Sequence, residues 1–235
     1  MIFLINPLNF TIFTGPSFAH DTMRVKILIP FALFLLPFIF YGQTYIEMSR
    51  INFDSLQQQL PDLSGTERID VLNKIAFASS PYHPDSSIRI ANLAKLDSEK
   101  TTYRKGIADA HFSLGITYLF LDSLKFSVIN LLEALRIYEE LEPCKEMGFT
   151  LEQLQAINFL TGRYEKSKNY GRKAVRIFHL LGDSLHMVRR LYALGLTCTE
   201  NNEFDSAKYY NEYALEIIPD KQDSLALLYR ASIYL

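Results

Sequence analysis

A spacing of 40 residues runs through most of this 235-residue chain, and it constrains the fold more than any other feature. The stretch 108–138 has small and large apolar residues at the spacing of two consecutive helices, and equivalent residues return twice. They are Leu114, Leu154 and Leu194; Ser127, Ser167 and Ala207; Ala134, Ala174 and Ala214; and Ile137, Ile177 and Ile217. A degenerate copy precedes them, with Ser87 and Ala94 at the matching positions. A constant period of this length predicts a solenoid, in which each unit buries its apolar face against its neighbours.

Each unit is predicted to be a helix, a turn and a second helix, here called helix A and helix B. The turns between A and B fall at Asp122, Gly162 and Asn202, and in the degenerate unit Asp85 or Ser86 is predicted to cap helix B. The helices are predicted over 66–77, 85–96, 102–120, 123–141, 145–160, 164–181, 184–200 and 205–218. The segments are a lead-in at 44–65, a degenerate repeat at 66–100, repeats at 101–141, 142–181 and 182–219, and the first helix of a truncated further repeat at 220–235.

Small residues on the B helices are predicted to lie where neighbouring helices approach each other closely. The first residues of the B helices, Leu124, Tyr164 and Phe204, are predicted to fill the space between A and B. The residues expected to pack the repeats are Leu114, Gly115, Ser127, Ala134, Leu154, Ser167, Ala174, Leu194, Gly195, Ala207 and Ala214.

Residues 23–43 have the pattern of an export signal. Arg24 and Lys26 precede an apolar run over 27–41, which is 15 residues long and therefore shorter than the roughly 20 that span a bilayer. Two prolines inside the run also disfavour a membrane helix. An uncleaved anchor and a buried core helix are the alternatives to a cleaved signal.

Met23 stands directly before these positive residues, where an initiator methionine is expected. We therefore interpret residues 1–22 as an extension from a wrongly assigned start codon. The protein is predicted to be exported, to the periplasm or another extracytoplasmic space, with a membrane anchor as the alternative to cleavage.

The residues that carry chemistry do not form a recognisable site in the sequence. A formal net charge of −2 gives no basic footprint for nucleic acid. The five histidines show no zincin spacing, and Cys144 and Cys198 are expected to be free thiols. No phosphate-binding glycine loop or serine nucleophile elbow occurs. We predict a chain that is not an enzyme and has no catalytic residues, metal or cofactor.

The repeated pattern resembles the tetratricopeptide repeat (TPR) family over about 66–235. The matching residues are Leu114-Gly115 with Tyr118, Leu194-Gly195, Gly162 with Tyr164 and Ser167, the alanines Ala134, Ala174 and Ala214, and Pro219. Gln155, Gly171 and Asn211 depart from the family pattern. The spacing also exceeds the usual period of about 34, which implies longer helices.

This resemblance implies an all-α, right-handed solenoid of stacked antiparallel helix pairs that follows an N-terminal signal helix. The A helices would line a concave surface that binds a protein or peptide, with no nucleic acid partner. A membrane would be contacted only through the signal or anchor segment or a missing downstream span. The groove-facing residues would be Asp109, Phe112, Ile116, Glu152, Phe159, Arg189, Tyr192 and Thr199.

Exported arrays of this kind look like the input segments of bacterial sensor kinases and transcriptional regulators. The chain is therefore expected to be a non-catalytic, protein-binding part of a signalling protein. Two alternatives stay open: a stand-alone scaffold for envelope assembly, and the non-catalytic part of an enzyme whose catalytic domain lies beyond residue 235.

Overall fold

The computed structural model describes residues 51–218, which are helical with no strand in that span. The helices are α1 (Phe53–Gln59), α2 (Gly65–Ser79), α3 (Pro84–Lys100), α4 (Arg104–Phe120), α5 (Leu124–Tyr138), α6 (Lys145–Leu160), α7 (Tyr164–Leu180), α8 (Ser184–Glu200) and α9 (Phe204–Ile217), with a 3₁₀ turn at Leu60–Asp62 after α1. Each end of α2 to α9 lies within four residues of the predicted end.

Helices α2, α4, α6 and α8 are the A helices of the units, and α3, α5, α7 and α9 are the B helices. From α2 to α9, each helix packs against those before and after it in sequence, α2 also contacts α4, and α4 contacts α6. One apolar cluster extends from Ala108 on α4 to Ala214 on α9. This sequential packing confirms an all-helical, solenoid-like fold for the part of the chain that is described. The handedness stays a prediction.

Several predictions lie outside the described residues. They concern the extension at 1–22, the signal at 23–43, the first part of the lead-in, Pro219 and the truncated helix at 220–235.

The same C-terminal motif ends five of the helices. Positive φ angles occur at the three predicted A–B turns, at Asp122 (52°), Gly162 (69°) and Asn202 (59°). They also occur at two B–A turns, at Thr102 and Gly182. The residue after each donates its backbone N–H to a carbonyl five residues earlier, at 2.8–2.9 Å. This is the Schellman arrangement, which satisfies carbonyls that the helix end leaves free.

Two local predictions are wrong. Helix α3 is not capped by Asp85 or Ser86, because it begins one residue earlier at Pro84, whose fixed φ suits the first helical position, and His83 is the N-cap residue. Leu124 and Phe204 do not fill the space between A and B, since 40% and 64% of their surface is exposed. They start their helices directly after the turns, where the chain is still at the edge of the stack.

Small and large residues are paired where helix A crosses helix B of the same unit. A Cβ added to Gly115 would lie 2.7 Å from the Leu131 side chain, so glycine on α4 accommodates leucine on α5. In the next unit the sizes are exchanged, because Gly171 on α7 accommodates Gln155 on α6. The two departures from the repeat pattern at these positions therefore compensate each other.

A buried hydroxyl pair also recurs. Ser87 and Thr117 are joined at 2.6 Å, and Ser167 and Thr197 at 3.4 Å, each between a B helix and the following A helix. Ser127 is the equivalent serine of the middle unit, but Ile157 replaces the threonine there. Its hydroxyl consequently has no hydrogen-bond partner among the described residues, although the side chain is buried.

Candidate functional site

A pocket of about 410 Å³ lies across three successive A helices, and this volume is in the range that protein pockets use to hold ligands. Helix α2 contributes Asp70, Asn73, Lys74 and Phe77; α4 contributes Lys105, Asp109, Phe112 and Ser113; α6 contributes Lys145, Glu146 and Phe149; and Ile51 completes the lining. Because these helices belong to consecutive units, the stacking of the repeats builds the pocket.

The apolar part of the lining is aromatic. Phe77 stacks on Phe112 with ring centroids 5.4 Å apart, and Phe112 is buried while Phe77 is half-buried. Phe149 is half-buried and is supported from behind by Phe178 at 5.9 Å and His186 at 5.2 Å. Rigid aromatic surfaces held in this way can contact an apolar side chain at little cost in conformational entropy.

One carboxylate in the pocket is deeply buried. Asp109 accepts hydrogen bonds from the Lys105 Nζ and the Tyr138 hydroxyl, both at 2.6 Å. Burial raises the pKa of Asp109 to about 6 and outweighs the opposing effects of Lys105 and Tyr138. Burial alone would lower the pKa of Lys105, but the Asp109 carboxylate raises it above its usual value. At neutral pH the two side chains therefore form an ion pair.

The raised pKa of Asp109 predicts a pH-dependent stability. The folded chain keeps this proton to a higher pH than the unfolded chain does, so ionisation at rising pH disfavours folding. Relative to Asp109→Asn, we expect the free energy of unfolding of the wild type to fall by about 2 kcal/mol between pH 4 and pH 7. Urea unfolding of the wild type and the variant at both pH values gives the difference between their free energies of unfolding. The contributions of the other titrating groups largely cancel in this difference. A difference that is the same at pH 4 and pH 7 would contradict a raised pKa of Asp109.

The floor of the pocket holds an amide whose acceptor is not used. Asn73 donates its Nδ2 to the Gly106 carbonyl at 3.0 Å. Its Oδ1 is buried and has no hydrogen-bond partner among residues 51–218. An unsatisfied buried acceptor costs free energy, so this amide lowers the stability of the chain.

The predicted groove residues do not all reach this pocket. Asp109 and Phe112 line it. The other six lie elsewhere in the stack: Ile116, Glu152, Phe159, Arg189 and Tyr192 are buried, and Thr199 is exposed. The eleven residues proposed to pack the repeats are all buried. Cys144 and Cys198 are free, as expected.

Sequence reasoning missed most of the lining, although the 40-residue period contained the signal. Lys145 is the equivalent of Lys105, Phe149 of Asp109, and Asn73 of Ser113, each one unit away. Carrying the predicted groove position Asp109 forward by one period would have found Phe149. Lys145 and Asn73 would have stayed hidden, because their equivalents Lys105 and Ser113 were not predicted to face the groove.

Between residues 51 and 218, no group of three or more His, Cys, Asp or Glu side chains is arranged to hold a metal ion. In the same range, none of the helices combines the length and the apolar character needed to cross a bilayer.

No family model matches the chain, and no curated protein matches it. The likeness to TPR arrays therefore depends on the repeated residues themselves.

Proposed function

We propose that this chain is a non-catalytic, TPR-like module that binds a peptide or an extended segment of another protein in the pocket across α2, α4 and α6. One observation carries the proposal: three consecutive A helices place aromatic side chains and charges of both signs around one cavity. The aromatic residues would hold an apolar anchor of the partner. Lys74, Lys105 and Lys145 would select the charges beside that anchor.

The proposed location is extracytoplasmic, and it depends on the signal-like sequence at 23–43 alone. A role as the input or scaffolding part of a signalling protein depends on the family likeness alone.

Selection from a random peptide library on the full chain, followed by affinity measurements, tests this function. We expect the selected peptides to share a bulky apolar residue flanked by charges. Phe149→Ala and Lys74→Glu should each weaken their binding by about tenfold or more, because they remove an anchor contact and reverse a charge at the rim.

Phe204→Ala and Lys208→Glu are matched controls, since both side chains are exposed on α9 and do not line the pocket. These two variants should leave the affinity unchanged. Thermal unfolding of all four variants checks that they fold. Selected peptides that bind the pocket variants and the controls equally well would refute the proposal.

A further inference from the structure

Helix α5 exposes large apolar side chains on its outer face. Phe126, Ile129 and Leu132 are 54%, 53% and 42% exposed, and they follow one another at intervals of three residues. These residues, the α5 apolar stripe, contribute nothing to the pocket, whose lining comes from Ile51 and the A helices. Contiguous exposed apolar side chains of this size mark a surface that meets a partner.

Helix α7 exposes four cations, two of them at positions that correspond to the stripe. Lys166, Arg172, Lys173 and Arg176 form what we call the α7 basic ridge, and all four are exposed. Lys173 pairs with Glu139 at 2.8 Å, and Arg172 donates to the Tyr210 hydroxyl at 3.0 Å.

The other two cations of the ridge are not compensated. Among the described residues, Lys166 and Arg176 have neither an ion pair nor a hydrogen bond through their side chains. Glu165, the acidic residue exposed on the same helix, pairs with the buried Lys168 at 2.7 Å. The ridge is therefore a local positive surface on a chain whose formal net charge is −2.

Two residues of the ridge are equivalent to residues of the stripe in the preceding unit. Lys166 is the equivalent of Phe126, and Arg172 is the equivalent of Leu132, 40 residues later in each case. An ion pair also joins Glu139, just after α5, to Lys173 on α7. Equivalent positions on stacked units face the same side, so apolar and basic side chains lie next to each other on one surface.

We propose that this surface docks on an anionic lipid bilayer. Phe126 and Ile129 enter the boundary between headgroups and acyl chains, and the α7 basic ridge contacts the lipid phosphates. Apolar side chains beside several Lys and Arg residues are the combination that binds peripheral proteins to such membranes. An acidic protein would account for the ridge but not for the uncharged stripe beside it.

The sequence outside the described residues is compatible with a nearby bilayer. The apolar run at 27–41 ends 12 residues before α1 begins at Phe53. An extended chain of that length reaches at most about 40 Å. A retained anchor would therefore keep the surface close to the membrane, where weak contacts suffice.

The absence of tryptophan from the chain allows a local test. Phe126→Trp in the full chain gives one fluorescent reporter in the stripe. Thr199→Trp gives a second reporter at an exposed position of the A helix α8, and it likewise leaves the net charge unchanged. With vesicles of phosphatidylcholine and phosphatidylglycerol at 7:3, we expect the emission of the first reporter to shift to the blue and to be quenched by brominated lipid. The emission of the second reporter should not change, and neither reporter should respond to pure phosphatidylcholine.

Neutralising the ridge tests the electrostatic part. Adding Lys166→Gln and Arg176→Gln to Phe126→Trp should lower the apparent partition coefficient of the blue-shifted state by about 30-fold. Adding Lys100→Gln and Lys208→Gln instead removes the same charge from exposed positions outside the ridge and the pocket, and it should leave the coefficient close to that of the parent. Each reporter responds only to its own surroundings. A chain that binds vesicles through its N-terminal segment alone would therefore not shift the emission of the Phe126→Trp reporter.

Three outcomes would overturn the proposal. The first is an unshifted reporter at position 126 when the chain is bound to anionic vesicles, and the second is an equal shift with neutral vesicles. The third is a blue shift that grows with protein concentration in the absence of lipid, which would assign the stripe to a second copy of the chain.

Discussion

Replacing Gly171 by leucine is expected to lower the free energy of unfolding by about 3 kcal/mol or more. A Cβ at this position would lie 2.6 Å from the Gln155 amide and 2.7 Å from the Leu194 side chain. Neither neighbour can withdraw freely, because both are buried between helices. The added side chain must therefore push α7 away from α6 or α8. Urea unfolding of the variant and the wild type measures the loss.

The contact between Gly171 and Gln155 allows a second variant that relieves the clash. Gln155→Gly together with Gly171→Leu recreates the arrangement of Gly115 and Leu131 in the preceding unit. The double variant should recover part of the lost stability, and the coupling free energy should be favourable. The recovery is incomplete because Gln155→Gly also removes the acceptor of the buried Arg190 Nη1, at 3.3 Å. Gly182→Ala is a control for glycine replacement without a clash, since no atom lies near its added Cβ, although its φ of 67° carries its own backbone cost. A double variant that is less stable than Gly171→Leu would contradict the size exchange.

Replacing Arg190 by methionine is expected to cost about 3–5 kcal/mol of stability, the usual range when one partner of a buried ion pair is removed. Arg190 Nη2 lies 3.1 Å from Glu152 Oε1, and the two side chains are 0% and 1% exposed. They are close but not aligned as a hydrogen bond. No other cation of the described residues pairs with this carboxylate, so the variant leaves a negative charge buried. Denaturant unfolding at pH 7 gives the value.

The double variant Glu152→Leu with Arg190→Met provides the control. Because it removes both charges, it should be more stable than Arg190→Met alone. An exposed pair such as Lys208 and Glu212 offers the contrasting case, and Lys208→Met there should change stability by less than about 0.5 kcal/mol. If Arg190→Met proves as mild as Lys208→Met, the carboxylate of Glu152 is not desolvated.

The helices of the repeats were predictable from the sequence because their signals are local and recur. Asp122, Gly162 and Asn202 mark the turns by residue type, and the structure gives each of them the positive φ that ends a helix. The 40-residue period then predicts which helices pack together, since a unit of this size can bury its apolar face only against its neighbours.

The pocket was harder to predict, because burial depends on what lies across from a helix face. Asp109 and Phe112 share their face of α4 with residues that the next helix covers, and the sequence does not distinguish the two environments. An exchange of a small and a large side chain between two contacting helices also cannot be detected when each position is compared only with the family pattern. Gln155 and Gly171 looked like two separate departures, whereas in the structure they make one contact.

Zero-length cross-linking with a carbodiimide, read by mass spectrometry, tests the stacking of consecutive units most directly. The structure predicts links between Glu139 and Lys173 and between Asp183 and Lys145, whose charged atoms lie 2.8 Å and 3.7 Å apart across neighbouring units. Glu139→Gln should abolish the first link and leave the second. Links confined to residues three or four apart, such as Asp97 with Lys100, would show that the units do not stack and that the pocket does not exist.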